Sequence, residues 1–556
     1  MERVNVRSLF VIEAPGKVKS LEAILLKVGL NAKVEATGGH LYELPDKLND
    51  LGIDDKFIDF KRKPKRDQSI EYLRKAAREA DTIYVATDAD IEGDVIAWDV
   101  HEIVKDICPD ILRVRLKGMD PESVEESLND VFPVRKADAV PGRTRAIVDR
   151  LIGHSFSKDG VGVGRVSTGL LGILHYSKSN ISSAKIRLVA PSKDGTNPWI
   201  CQFDVNDIVT EGMGRKLSEL SFPALEMKST GPSSGSINHM GDIMVKAGDD
   251  LGMTPKEAYG SLQRMYEAGQ MSYPRSGAKG VSKGAQRRLA RMIKKSGFKG
   301  NSEKLAQKTE DEVHDAPYPI GDVDPSKDPR KLGDDHGVRT MVARDIVKNS
   351  IDREKQTASG KTVYDFLLKN GYSKEVSEYV AKKNWTREIG PRFPGEKTWP
   401  KSGVEIRMPE TVLLEKAIKL GLGRPSTWAN HIDTFMDRGL CDDNLQLTEK
   451  GKAWVNASPD ALLDPRLSKL IESACDRVLP GMMDNQDQEP WSILAKAITT
   501  SLPEELSSVV NDKMPSHDSN TIFTYSDDIE RIDPVATLEH NSVNLNISPA
   551  PPAPSD

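Results

Sequence analysis

The sequence predicts an α/β domain at the N-terminus, followed by mostly helical domains that share the rest of the chain with a smaller β-containing portion. Three observations carry this. Residues 1–140 alternate short apolar runs with helix-like stretches, the sign of a layered α/β fold. Between 191 and 245, strand-like pieces such as Trp199-Ile200-Cys201-Gln202-Phe203 stand between glycine- and serine-rich turns. From 246 onward, helical patterns dominate until the composition changes near 503.

Taken in order, the first apolar run, Ser8-Leu9-Phe10-Val11-Ile12, reads as a strand that ends in Glu13-Ala14-Pro15-Gly16-Lys17. A second, residues 82–86, leads into Thr87-Asp88-Ala89-Asp90-Ile91-Glu92-Gly93-Asp94, and Val95-Ile96-Ala97-Trp98 opens a helical pattern. Acidic residues at every second position, at the carboxyl end of a strand, place hard oxygen ligands where open α/β sheets gather their ligands. Asp88, Asp90 and Glu92 are therefore candidates for binding Mg2+, with Glu13 and Lys17 facing them. The basic run 61–66 reads as a solvated loop and receives no site role.

Further on, Arg145 and Asp149 are four apart on one helical face, which suits an ordinary ion pair as well as a binding face. Tyr273 stands in Met271-Ser272-Tyr273-Pro274-Arg275-Ser276-Gly277. A phenol with a pKa of roughly 10 is a poor nucleophile at neutral pH. If Pro274 fixes an extended turn, Arg275 projects to the same side, where a guanidinium holds a phosphate and favours the phenolate. Residues 278–300 carry eight basic residues and no acidic one, with Arg287, Arg291 and Lys295 at i, i+4 and i+8. A run of this kind is more often a solvated face, but eight uncompensated charges just after Tyr273 favour a phosphate-contacting surface.

These stretches, in this order, resemble the type IA DNA topoisomerases. Glu13 after the first strand and Asp88-x-Asp90-x-Glu92 resemble the Toprim domain, which primases and some nucleases share. The family's later signposts follow: 145–153, Gly164-Arg165-Val166, Tyr273-Pro274-Arg275, His314-Asp315-Ala316 and Gly423-Arg424-Pro425-Ser426-Thr427. The resemblance implies a toroid. Residues 1–140 would be the Toprim metal-binding domain, 141–190 and 409–502 the two parts of a single-strand DNA groove domain, and 191–245 and 365–408 the two parts of an arch. Residues 246–364 would be the catalytic tyrosine domain, and 503–556 an acidic disordered tail.

It also implies that Tyr273 attacks a phosphodiester and holds the 5′ phosphate, with Arg275 stabilising the charge and Glu13 and Lys17 serving the leaving 3′ oxygen. His314 would approach the same phosphate, and Arg145, Asp149 and Arg165 would line the groove. His40, in a glycine-histidine turn, would be structural. The chain departs from the family pattern at Ile91 and Tyr318, where arginines are usual, and at Asp94, Ser167, Ser276 and Gly277. It reads as a divergent branch. A Toprim nuclease or primase would use the same carboxylates without Tyr273, and a non-catalytic DNA-binding relative would keep the fold alone.

Composition narrows the field further. No apolar run approaches the roughly 18 residues of a membrane span, and the first residues lack the apolar core of a secretory signal. A cytoplasmic monomer acting on DNA is the expectation. The four cysteines are scattered, so neither structural zinc nor a disulfide framework is expected. No Gly-x-x-x-x-Gly-Lys-Ser/Thr loop is present, which argues against ATP hydrolysis. The net charge is -6, but residues 501–556 hold ten acidic and two basic residues, so residues 1–500 carry 76 minus 74, or +2. DNA contacts must then be local patches.

Overall fold

The computed structural model describes residues 7–514 apart from 48–49, 60, 159, 178–183, 234–235, 307–314, 391, 394–399, 479–480 and 486–487. Its N-terminal strands are β1 (Ser8–Ile12), β2 (Ala32–Ala36), β3 (Tyr42–Glu43), β4 (Lys63–Pro64), β5 (Thr82–Val85), β6 (Ile111–Arg113) and β7 (Phe132–Pro133). β3 pairs with β4, and the other five form one sheet in the order β2-β1-β5-β6-β7, parallel except for β7. Both faces of β1 are buried, as a parallel strand covered by helices requires. Leu9 and Val11 pack on one side with α3 (Ile91–Val104) and α2 (Asp67–Ala77). Phe10 and Ile12 pack on the other with α1 (Val18–Lys27) and α4 (Pro121–Leu128).

The helix after β5 starts at Ile91, ahead of the expected Val95, because the Asp90 carboxylate caps it by accepting from Gly93 N at 2.8 Å. Glu92 and Asp94 are thereby placed on the first helical turn. Glycine is required at 93, since a Cβ there would lie 1.8 Å from the Asp88 carbonyl oxygen. Buried Arg113 fixes the same loop, donating to the backbone oxygens of Val85, Thr87 and Asp88.

Next come α5 (Lys136–Phe156) and α6 (Arg165–Tyr176), then a second sheet of β8 (Ala184–Ala190), β9 (Trp199–Asp204), β10 (Met227–Pro232), β11 (Glu354–Ala358), β12 (Thr386–Ile389) and β13 (Gly403–Ile406). Its order is β10-β11-β12-β9-β8-β13. Two expectations change here. β11 belongs to this sheet through its pairing with β10 and β12, although it lies within the stretch 246–364 expected to be helical. The supposed flexible connection at 230–236 begins as part of β10, because Thr230, Gly231 and Pro232 are paired with β11.

Helices α7 (Glu211–Ser218), α12 (Lys361–Lys369) and α13 (Lys374–Lys382) pack on the second sheet around Trp199 and Trp385. The largest core joins α6 to α8 (Met240–Leu251), α9 (Pro255–Glu267), α10 (Lys283–Lys295), α11 (Asp334–Ser350), α14 (Pro409–Leu420), α15 (Pro425–Asp437), α16 (Glu449–Asn456) and α17 (Asp460–Leu463). The remaining helices are α18 (Pro465–Cys475), α19 (Pro490–Thr500) and α20 (Glu504–Asp512), and they pack against α5.

The tail expected to lack order from 503 starts instead with α20, whose Leu506 and Val510 are buried in the α5 and α19 core. Two apolar residues four apart seat one more helix, and of the expected tail residues 515–556 lie outside the described residues. All four cysteines are free and buried. Among the described residues, no helix is long and apolar enough to cross a membrane.

Candidate active site

Tyr273 follows α9 in an extended segment and crosses to the N-terminal domain. Its ring is 4% exposed, packed into the core that holds Phe10 and Ile12 and edge-on to Tyr266 at 5.5 Å. Its hydroxyl donates to Asp90 Oδ2 at 2.7 Å. Arg275 lies beside the same loop, its Nη1 3.6 Å from Asp90 Oδ2 and 3.8 Å from Asp88 Oδ2. The segment is held by pairing with 318–320. Ser272 N donates to Tyr318 O and Tyr318 N to Ser272 Oγ, both at 2.9 Å, and Ile320 N donates to Gln270 O at 2.8 Å.

Burial first, and then the charges of Asp90 and Asp88, hold the Tyr273 hydroxyl well above the ordinary phenol range, and Arg275 opposes them without prevailing. In this arrangement Tyr273 is a phenol that donates to Asp90, not the phenolate that Arg275 alone predicts. The carboxyl of Glu13 is pushed up to about 7 by burial and by Asp88 and Asp90. Lys17 is buried, 3.7 Å from Asp88 Oδ1 and 4.0 Å above the Tyr266 ring.

Glu92 turns away from this group. It accepts from His40 Nε2 at 2.9 Å and lies 3.7 Å from Arg145 Nη1. Burial works to lower the His40 pKa, but its hydrogen bond to Glu92 and the Glu92 charge raise it overall. The donor set suits a hard divalent cation, since Glu13, Asp88 and Asp90 are close enough for mutual repulsion. Lys17 and Arg275 offset part of that charge, and among the described residues no three such side chains are gathered as a ready ligand cluster.

A cavity of about 590 Å³ opens beside the loop and is lined in part by Asp90, Glu92, Arg145, Asp149, Arg165 and Arg275. Six of the candidate residues thus come together, though not with the expected partners. Asp149 accepts from Arg165 Nε at 2.8 Å, not from Arg145. Arg145 reaches Glu472 at 2.9 Å and Asp476 at 3.4 Å. Arg165 is itself buried and also donates to Glu472 at 2.6 Å, while Arg424 pairs with Glu472 and with Asp476. Burial would raise the Glu472 carboxyl, and Arg165, Arg145 and Arg424 together pull it below its usual range.

The stripe on α10 is elsewhere. Arg287 pairs with Glu126 at 3.3 Å, Arg291 with Glu122 at 2.7 Å and Lys295 with Asp322. Charges that lack an acidic neighbour in sequence are compensated by α4 and by the loop before α11. His314 lies outside the described residues.

Sequence reasoning missed Tyr266, Glu472 and the acceptor role of Asp90 toward Tyr273. Arg424 stood in a quoted motif, but nothing marked Glu472 or Tyr266 before the chain folded.

Comparison with known proteins agrees with this assembly. The family model described as "Toprim domain" matches residues 8–118, and the one described as "DNA topoisomerase" matches 239–488. DNA topoisomerase 1 of Aquifex aeolicus is 24% identical in an alignment 476 positions long, gaps included, that covers 78% of this chain and 87% of that protein. The plasmid DNA topoisomerase I of Xylella fastidiosa is 23% identical in an alignment 580 positions long, gaps included, that covers 92% of this chain and 85% of the other. The full-length topoisomerase I of Thermotoga maritima shares the fold, with a TM-score of 0.58 at 16% identity over 91% of each chain.

Proposed function

The chain belongs to the type IA DNA topoisomerases, and on that premise we propose that it breaks and rejoins one DNA strand through a 5′-phosphotyrosine on Tyr273, relaxing negatively supercoiled DNA without ATP. One observation carries the reading: a phenol from a distant part of the chain meets the Asp-rich loop at 2.7 Å, with an arginine beside both. In cleavage the Tyr273 Oη–P bond forms as the P–O3′ bond breaks. The phenolic proton leaves toward Asp90, and Lys17 or Glu13 supplies a proton to O3′. Rejoining is the reverse, with O3′ attacking and Oη leaving. Bonds of the same kind are exchanged, so no ATP is consumed.

Arg275 stabilises the charge of the phosphoryl oxygens in the transition state. Magnesium, for which Asp88, Asp90 and Glu13 are the proposed ligands, with Glu92 joining them by leaving His40, would add positive charge at the phosphate and the 3′ end. The cavity beside Arg145, Asp149 and Arg165 is the proposed path for a single strand into the site, and His314 is retained as a phosphate contact. Residues 1–140 serve as the metal-binding domain, 141–190 and 409–502 as the groove, the second sheet as the arch and the helices around Tyr273 as the catalytic domain of a monomer.

Negatively supercoiled plasmid incubated with the protein and magnesium tests this directly. Closed, relaxed topoisomers are expected from the wild type. Tyr273→Phe should form no covalent complex and relax nothing while still binding single strands. Nicked plasmid or primers would point to a Toprim nuclease or primase, and a mobility shift alone to a non-catalytic relative.

A further inference from the structure

Arg288 joins the N-terminal domain to the segment that carries Tyr273. It rises from α10 with its side chain only 9% exposed. One nitrogen, Nη1, donates to Ser123 Oγ at 2.9 Å and to Tyr318 Oη at 2.8 Å, while Nη2 donates to Glu126 Oε2 at 2.8 Å. Ser123 and Glu126 are on α4, whereas Tyr318 is the fully buried residue whose backbone pairs with Ser272, next to Tyr273. A second arginine, Arg339 of α11, holds the far end of the same ladder through Gln270 O and Ile320 O, without contacting α4. A planar guanidinium offers its donors in a fixed fork, so losing one partner alters its hold on the others.

We propose that Arg288 is a positioning residue that makes the placement of Tyr273 depend on the docking of α4 against α10. The inference rests on the reading that Tyr273 is the nucleophile. With α4 in place, Arg288 fixes Tyr318, Tyr318 fixes Ser272, and the phenol is held against the Asp-rich loop. When α4 departs to let a strand through, Arg288 keeps only one of these three partners and the ladder loses its outer anchor. Cleavage and rejoining are thereby confined to the docked state, so a broken strand is resealed only after the two domains come together again. Tyr318, at a position where the family usually has arginine, becomes in this chain the acceptor for an arginine arriving from α10.

The test is single-turnover cleavage of a labelled single-stranded oligonucleotide at saturating DNA with magnesium, alongside DNA affinity by anisotropy. Tyr318→Phe keeps the ring and removes the acceptor, and Arg288→Lys keeps the charge and loses the fork. Each should slow cleavage about tenfold, the worth of a hydrogen bond to a charged group, with affinity unchanged and the protein fully folded at the assay temperature. Ser123→Ala should act in the same direction. The double variant Ser123→Ala/Tyr318→Phe should be no slower than the worse single one, because both act through the same Nη1. An unchanged rate in Tyr318→Phe, additive losses, a loss confined to affinity, or a loss that follows unfolding at the assay temperature would each overturn the proposal. Cleavage that persists in Tyr273→Phe would instead overturn the nucleophile assignment on which it rests.

Discussion

The carboxylates of Glu472 and of α4 both collect arginines, but in different surroundings. Around Glu472, three arginines from α5, α6 and the start of α15 meet one buried side chain, and the segments they join are far apart in sequence. Between α4 and α10, Arg287 and Arg291 are well exposed and pair with Glu126 and Glu122, and Arg288, which also reaches Glu126, is the buried member of the three. Buried pairs are strongly coupled, because a charge left alone there cannot recover its hydration. Exposed pairs contribute little and exchange partners easily. On the proposed function, the first region suits a junction that holds while a strand lies in the groove, and the second, where exposed pairs surround the one buried arginine, a junction that parts and re-forms.

The largest effect expected from this contrast is at Glu472. Glu472→Gln leaves Arg165 and Arg145 without their shared carboxylate, and removing one partner of a buried ion pair costs about 3–5 kcal/mol. Urea denaturation measures it, and a loss below about 1 kcal/mol, the range of exposed pairs, would erase the distinction. A second effect follows at the C-terminal end of the same core. Leu506→Ala should cost about 2–3 kcal/mol, near the low end for a buried leucine because a terminal helix relaxes readily. Equal melting of Leu506→Ala and wild type would mean that α20 is not part of the core.

How much of this was legible in the sequence depends on how local the cause is. β1 and β5 were readable because each is a short apolar run of the right length, and the Asp-rich loop because its spacing is a local pattern. The start of α3 was missed since a cap at Asp90 outweighs the apolar pattern that begins at Val95. α20 was missed because the acidic composition of the last fifty-odd residues hid two apolar positions. At the site, motif residues such as Asp90, Arg145 and Arg275 were found and do line one cavity. Their partners were not, because pairs such as Arg145 with Glu472 join residues that no local pattern relates.

The α10 stripe shows the same limit: within 278–300 its charges look unpaired, but the compensating acids come from elsewhere in the chain. Changing Arg287 and Arg291 to glutamine should therefore cost no more than about 1 kcal/mol each. The slope of log affinity for single strands against log salt should also stay the same. A slope flattened by about 0.7 per residue would show that the stripe gives up its acids to bind phosphates.

The last expected effect is one of pH, at a pair where buried Arg407 ties the end of β13 to α8 through Asp249 and to α14 through the partly exposed Glu415. Burial would raise the Glu415 carboxyl, but hydrogen bonds from Lys419 and Arg407 pull it down to about 2. A carboxylate whose folded pKa lies below its unfolded value of about 4.5 contributes stability that is complete above the unfolded value. That contribution is lost as pH falls from the unfolded value through the folded one. Replacement by glutamine removes this dependence, so Glu415→Gln should be less stable than wild type at pH 7, with the gap narrowing steadily as pH drops through that window. Denaturant midpoints measured between neutral and acidic pH would show it. A gap that is constant with pH would mean that Glu415 acts through packing alone, and a widening gap would contradict the direction of its shift.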